Sequence, residues 1–176
     1  MLSPFLLDGK ELGGMGLDTE AVGIIYGTFG VGALTLGGIL GGIAISRQGL
    51  TKWMLPMFLA MHLPIIGFIL LAFFHPTSIY YIYAVVILEQ FGYGFGFTAF
   101  MMYLIHVAEG ESKTSHYAIA TGFMALGMML PGMLSGYIQK YLGYDNFFIW
   151  VLIATIPGLI LSRFLEFPKD FGKKTA

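Results

Sequence analysis

Long apolar runs, separated by short polar connections, dominate the pattern of this chain. Five runs approach or exceed the roughly 20 residues that a helix needs to cross a bilayer. They cover residues 21–45, 53–74, 79–107, 116–139 and 147–165. All charged side chains except those of Glu89 and Arg163 lie outside these runs, in the connections and at the two ends of the chain. This pattern predicts an all-α integral membrane protein with about five transmembrane helices, forming a single membrane domain over residues 1–176.

Composition supports the bilayer as the main solvent of this chain. Hydrophobic residues make up 57% of the sequence and charged residues only 11%, whereas a soluble domain has about 25% charged residues. The net charge of -1 comes with no basic stripe, which argues against a nucleic-acid partner. The sequence has no cysteine, so thiolate chemistry and Cys-ligated metal sites are excluded. We therefore expect contact with membrane lipid, and neither a cofactor nor a metal.

The positions of lysine and arginine predict the orientation in the membrane. Two of them, Lys10 and Lys140, fall on one side of the predicted spans. The other seven fall on the opposite side and are Arg47, Lys52, Lys113, Arg163, Lys169, Lys173 and Lys174. Because cytoplasmic connections carry the excess of basic residues, this split predicts a cytoplasmic C-terminus.

Glycines are concentrated on one face of the first span. At about 100° per residue, five of them fall within a narrow arc: Gly23, Gly27, Gly30, Gly37 and Gly41. The fourth span has a shorter version, Gly132 and Gly136. Small residues allow another helix to approach closely, so these faces predict helix packing. A sliding or rocking interface is the alternative interpretation.

One carboxyl group, that of Glu89, is predicted to lie near the middle of the membrane. It follows the start of the third span by ten residues, which is about 15 Å, or half of a roughly 30 Å hydrocarbon core. A charge there costs at least ~3 kcal/mol, so we expect Glu89 to face a cavity or partner, or to carry a proton. Tyr93 shares its helical face, whereas Gln90 points about 100° away. A structural tie to a neighbouring helix is the alternative to a functional role.

His62 lies at a similar depth in the second span. A proton relay between Glu89 and His62 is one interpretation. The other is that His62 serves a carbonyl freed by a kink at Pro64. The stretch from Gly94 to Ala99 matches a dinucleotide-binding pattern, but it lies inside an apolar helix and follows no strand, so we reject that function. No nucleophile motif accompanies these residues, and we expect no catalytic residues and no enzyme activity.

The connection after the first span resembles the cytoplasmic loop signature of the major facilitator superfamily, G-x-x-x-D-R-x-G-R. The matching residues are Gly42, Ser46, Arg47 and Gly49. Gly42 is expected to allow close approach, Ser46 to satisfy helix-end groups, Arg47 to reach a neighbouring helix end, and Gly49 to permit a tight turn. Ser46 and Leu50 depart from the signature, where an acidic and a basic residue are usual.

Three further motifs resemble the AmpG-type muropeptide permeases of the peptide/acetyl-coenzyme A transporter family. They begin at Glu89 (EQFGYGFG), Lys113 (KTSHYAI) and Gly143 (GYDNFF), in the order and spacing of that family. The resemblance implies that the five spans correspond to the eighth to twelfth helices of a facilitator fold. Residues 1–7 then correspond to the end of the seventh helix. The chain is accordingly expected to be the incomplete C-terminal half of a transporter, whose partner is a missing N-terminal half.

The resemblance also implies a function and a set of site residues. It implies uptake of a cell-wall fragment, a muropeptide, together with protons, across a bacterial inner membrane. The residues implied to line the pathway are Glu89, Tyr93, Gln90, Tyr26 and Thr28. Those implied near the cytoplasmic mouth, as candidates for a gate, are Thr114, His116 and Tyr117. Helix capping is the alternative role of His116. The alternative is a small membrane scaffold or assembly protein that self-associates through its glycine faces.

Overall fold

A computed structural model describes residues 1–174 of the chain. The described part is helical, with no strand, so the predicted all-α membrane class is confirmed. In chain order the α-helices are α1 (Leu2–Leu7), α2 (Thr19–Ile24), α3 (Val31–Gln48), α4 (Leu50–His62), α5 (Ile65–Phe74), α6 (Ile79–Val107), α7 (Lys113–Ala154) and α8 (Ile156–Ser162). A short 3-10 turn (Lys10–Leu12) follows α1, and a π-helical segment (Ile25–Gly30) joins α2 to α3.

Four helical stretches in residues 1–174 are long and apolar enough to cross a membrane. They are Thr19–Gln48, Leu50–Phe74, Ile79–Val107 and Lys113–Ser162. The last has 50 residues, more than twice the roughly 20 residues of one span. It is broken at Gly143, whose φ of 74° and ψ of 169° are not helical. The stretch is therefore long enough for two spans, and residues 1–174 contain four to five long apolar helices.

The chain reverses direction at Gly49 and at Gly143 within a single residue. α3 ends at Gln48 and α4 begins at Leu50, whereas the hydropathy pattern predicts a connection over residues 46–52. Gly49 has φ 83° and ψ 158°, a backbone conformation that only glycine adopts readily. The polar residues beside each turn belong to the ends of the flanking helices. Hydropathy shows which residues are apolar enough for the membrane, and a helix can continue beyond them.

Substitution of Gly49 by alanine should destabilise the fold. We expect a loss of about 1–3 kcal/mol in the free energy of unfolding, because an L-residue is strained in this conformation. An added Cβ would also lie 3.1 Å from the Lys169 carbonyl oxygen. The measurement is the thermal unfolding midpoint in detergent. Gly42→Ala is the matched control, since an added Cβ there meets no atom within 4 Å. Equal losses in both variants would contradict this account of the turn.

α6 is the central helix, packed between α3 and α4, and glycines on two of its faces permit this. A Cβ at Gly94 would clash with the Leu34 carbonyl of α3. At Gly92 or Gly96 it would clash with carbonyl oxygens of α4. Alternate glycines along a helix point to opposite sides of its axis. The glycine pattern that mimics a dinucleotide-binding loop is therefore a two-sided packing motif.

The glycine face of the first span divides into two parts. Gly30, Gly37 and Gly41 lie against α6, where an added Cβ would come close to Gln90, Phe91 or Phe95. The remaining glycines of the predicted packing faces, which are Gly23, Gly27, Gly132 and Gly136, have no atom of the described chain within 4 Å of an added Cβ. The predicted packing partner of these four does not lie within residues 1–174.

One end of the bundle, here called the Asp8 end, is closed by an aromatic cluster. Phe5, Phe68 and Phe148 are fully buried there, and the ring centroids of Phe5 and Phe148 are 5.0 Å apart. The Tyr144 hydroxyl donates a hydrogen bond to Asp8 Oδ2 at 2.6 Å. These contacts join α1 to the turn at Gly143.

The opposite end, here called the Arg47 end, has a second apolar cluster. Its buried members are Ile45, Leu50, Met54, Met57 and Ala99. They belong to α3, α4 and α6, so the cluster joins the turn at Gly49 to the central helix. The two clusters close the two ends, and the candidate site lies between them.

Candidate functional site

The Glu89 carboxyl group lies in the central part of α6 and is partly buried. Its Oε2 atom accepts a hydrogen bond of 2.7 Å from Gln90 Nε2. The sequence predicts that Gln90 points away from Glu89, but the long side chain bends back to reach it. A Cβ at Gly30 would lie 3.3 Å from Gln90 Cγ, so Gln90 also touches the segment before α3. The site is therefore a Glu–Gln pair at a helix–helix contact.

The segment that faces this pair, Ile25–Gly30, is π-helical. A π-helical turn inserts an extra residue into an α-helix and is frequent at functional sites. It carries Tyr26, whose hydroxyl is buried and has no hydrogen-bond partner among residues 1–174. The Tyr26 ring lies beside Gln90, because an added Cβ at Gly30 would be 3.7 Å from Tyr26 Cδ1 and 3.3 Å from Gln90 Cγ. An unpartnered buried donor is costly, which makes it a candidate contact for a substrate or for a neighbouring carboxyl group.

Two predicted pathway residues lie outside this group. Thr28 belongs to the same π-helical segment but is exposed. Tyr93 faces a cavity of about 520 Å³ between α4, α6, α7 and α8. Its ring stacks on Phe97 with centroids 5.5 Å apart. The structure therefore brings together Glu89, Gln90 and Tyr26, and it places Tyr93 on the adjacent cavity.

His62 is held by its own helix. Its Nδ1 atom is 2.8 Å from the Phe58 carbonyl oxygen, and its ring stacks on Phe58 with centroids 4.1 Å apart. α4 ends at His62, and α5 begins only after Pro64. These contacts favour a structural role for His62 at the kink between α4 and α5 over a proton relay between His62 and Glu89. His62 also lines the cavity that Tyr93 faces.

The loop-signature residues lie at the Arg47 end. Ser46 Oγ donates a hydrogen bond of 2.9 Å to the Ile43 carbonyl within α3, so the role of Ser46 at the helix end stays a prediction. The close approach predicted at Gly42 is found instead at Gly41, where an added Cβ would lie 3.0 Å from the Phe95 carbonyl oxygen. The Arg47 residue is exposed.

The predicted gate residues lie in the first turns of α7. Thr114 and His116 are exposed and Tyr117 is partly buried. The His116 backbone N–H donates to the Ser112 carbonyl at 3.0 Å, as expected where a helix begins. These residues are at the Arg47 end, separate from the Glu89 group. Within residues 1–174, no three His, Asp or Glu side chains are grouped so as to hold a metal ion.

Comparison with known proteins gives several relatives. The chain is 27% identical to the anhydromuropeptide permease of Escherichia coli (strain K12) over 148 residues, which is 84% of this chain and 30% of the permease. It is 26% identical to putative transporter AmpG 1 of Rickettsia bellii, over 92% of this chain and 38% of that protein. It is 30% identical to putative transporter AmpG 2 of Rickettsia typhi, over 86% of this chain and 37% of that protein.

The chain spans roughly a third of the length of these relatives. No solved structure matches it. The resemblance to AmpG-type permeases, inferred from the motifs at Glu89, Lys113 and Gly143, is confirmed as a similarity over most of the chain. The family model of the Major Facilitator Superfamily matches residues 1–176. With this match and the long apolar helices packed around the central α6, the chain is a multi-pass membrane protein that belongs to the Major Facilitator Superfamily.

Proposed function

We propose that this chain forms one wall of a proton-coupled transporter of small solutes, in which Glu89 carries the proton. The observation that carries the proposal is the arrangement of three polar side chains at a helix contact inside the apolar bundle. Glu89 accepts a hydrogen bond from Gln90 at 2.7 Å, and Tyr26, whose buried hydroxyl has no partner among residues 1–174, lies on the other side of the contact at Gly30. An ionisable residue at membrane depth is a functional-site hypothesis by default.

The chemistry of this group suits a reversible proton carrier. A carboxylate inside the membrane needs donors, and both the Gln90 amide and the Tyr26 hydroxyl can donate to it. A neutral carboxylic acid needs fewer donors and can itself donate to a substrate. The two protonation states therefore prefer different surroundings. A movement of the π-helical segment against α6 changes which state is favoured, and this links proton binding to the opening of a pathway.

The structure suggests that the chain works together with other helices. Most of α7 from Lys113 to Leu142 is exposed and none of it is fully buried; Phe123 and Met133 are each 69% exposed. The packing glycines Gly132 and Gly136 are open. In a bilayer such a face contacts lipid or another helix bundle. We propose an N-terminal half of the same transporter as the partner, and movement of the two halves against each other around a midplane site.

The proposed substrate and orientation rest on different observations. The proposed substrate, a muropeptide from the bacterial cell wall, follows from the relative named as an anhydromuropeptide permease. The proposed location is a bacterial inner membrane, with the C-terminus in the cytoplasm. This orientation follows from the seven basic residues at the Arg47 end. The single membrane domain over residues 1–176 remains part of this proposal.

The test of the proposed function is uptake of labelled anhydromuropeptide by cells that express the complete polypeptide containing this chain. We expect accumulation above the outside concentration, and we expect a protonophore to abolish it. Unlabelled anhydromuropeptide should compete, and an unrelated sugar or dipeptide should not. Background uptake would contradict the proposal. A stable homo-oligomer of the chain alone, combined with background uptake, would favour the scaffold alternative.

A further inference from the structure

The segment after α8 is docked against the turn between α3 and α4. We call residues 165–174 the tail. The Leu50 backbone N–H donates to the Phe171 carbonyl at 2.9 Å, and the Lys174 N–H donates to the Ser46 carbonyl at 2.8 Å. The Thr51 hydroxyl donates to the Lys169 carbonyl at 3.2 Å, across 118 residues of sequence. The groups at the Gly49 turn that α3 and α4 leave unpaired are therefore satisfied partly by the tail.

Aromatic side chains anchor the tail to α6 as well. The Phe171 ring lies 4.8 Å from the His106 ring, and the Phe167 ring lies 6.0 Å from the Tyr103 ring. Both phenylalanines pack on the apolar cluster of the Arg47 end. The tail therefore connects two elements that meet at this end, the Gly49 turn and the last turns of α6.

The fit of the tail depends on Gly172. Its φ is 79°, and an added Cβ would lie 2.7 Å from Ile45 Cγ2 and 3.1 Å from Met102 Cε. The opposite side of the tail is polar, where Lys173 and Asp170 form an exposed ion pair of 3.6 Å. A short segment with apolar anchors on one side and solvated charges on the other can leave its site without being extracted from lipid. None of residues 165–174 is fully buried, and segments with few buried contacts have low local stability and are the ones that move.

We propose that the tail is a reversible latch that binds the Gly49 turn and the end of α6. Docked, it ties α3, α4 and α6 together and keeps the pathway closed at the Arg47 end. Released, it lets the turn move relative to α6 while that end opens. The transport role of the latch rests on the proposed function, whereas the docking itself can be measured without transport.

The first test is a cross-link between the tail and the turn. The sequence contains no cysteine, so the double variant Ser46→Cys/Lys174→Cys has no competing thiol within this chain. A backbone hydrogen bond between these two residues brings their Cα atoms close to the range for a disulfide. We expect an efficient cross-link in membranes under a mild oxidant. The control pair Lys10→Cys/Lys174→Cys, at opposite ends of the bundle, should not cross-link.

The transport readout follows from the same variant in the complete polypeptide. We expect the cross-link to reduce uptake at least about tenfold, since a bundle locked in one state cannot alternate, and we expect a reductant to restore uptake. A cross-link that leaves uptake unchanged would overturn the latch. So would failure of the pair to cross-link. Background uptake even in the reduced protein would contradict the proposed function, while the cross-linking yield would still report on docking.

The second test weakens docking with Gly172→Val in the same double-cysteine background. We expect the cross-linking yield to fall about tenfold, because the valine is strained at this φ and overlaps Ile45. Gly110→Val is the matched control. Gly110 also has a positive φ, 140°, but an added Cβ there meets no atom within 4 Å. Equal yields in the two valine variants would overturn the proposed docking.

Discussion

Replacement of Glu89 by glutamine should abolish proton-driven accumulation of substrate while leaving substrate exchange intact. The amide has the same size and can still accept the hydrogen bond from Gln90 that the carboxylate accepts at 2.7 Å. It cannot bind and release a proton at physiological pH. We expect accumulation to fall at least about tenfold, as when a positioned proton-transfer group is removed. The measurement compares net uptake with exchange in membrane vesicles that contain the complete polypeptide.

The control for this variant is the same change at a solvated position. Glu20 is exposed and lies in the first turn of α2, at the Asp8 end. Glu20→Gln removes one carboxylate without touching the site, so accumulation should be unchanged. If Glu89→Gln also accumulated substrate normally, the proton-carrying role of Glu89 would be wrong. If it lost exchange as well, Glu89 would serve structure or binding instead.

Substitution of Gly94 by valine should prevent correct packing of the bundle. The added Cβ clashes with the Leu34 carbonyl and approaches Gly38 N at 3.1 Å. Both are backbone atoms and cannot rotate away. Overpacking of this kind costs typically about 1–3 kcal/mol and occasionally more. We expect a large fall in the yield of monodisperse protein and in its thermal unfolding midpoint in detergent.

The matched control for Gly94 is Gly32→Val in α3. An added Cβ at Gly32 meets no atom within 4 Å. Both variants introduce the same β-branched residue into a helix, so the difference between them isolates the contact of α6 with α3. A similar loss of stability in both would show that helix propensity, and not close packing, governs the Gly94 variant.

The class of the fold follows from the sequence because the bilayer imposes a simple rule. Every backbone polar group inside it must be satisfied internally, so long apolar runs form helices. The position of Glu89 in the central part of α6 follows from counting residues at a fixed rise. The glycine at position 49 predicts a tight turn, and the structure has a positive φ there, which glycine adopts readily.

The details of the site depend on tertiary contacts that no local pattern encodes. The π-helical segment Ile25–Gly30 lies where Gly30 meets the side chain of Gln90, a residue of another helix. Helical geometry alone points Gln90 away from Glu89, but its flexible side chain reverses that prediction. The hydrogen bond from the Thr51 hydroxyl to the Lys169 carbonyl also cannot be predicted from periodicity, because 118 residues separate the two residues.

Substrate entry is proposed to carry a proton bound at Glu89, and a measurement of proton flux tests this coupling most directly. The complete polypeptide is reconstituted into liposomes that contain a pH-sensitive dye, with no initial pH gradient, and anhydromuropeptide is added outside. We predict acidification of the interior with the wild-type protein and none with Glu89→Gln, although the variant still exchanges labelled for unlabelled substrate. Equal acidification by the two proteins would contradict the account.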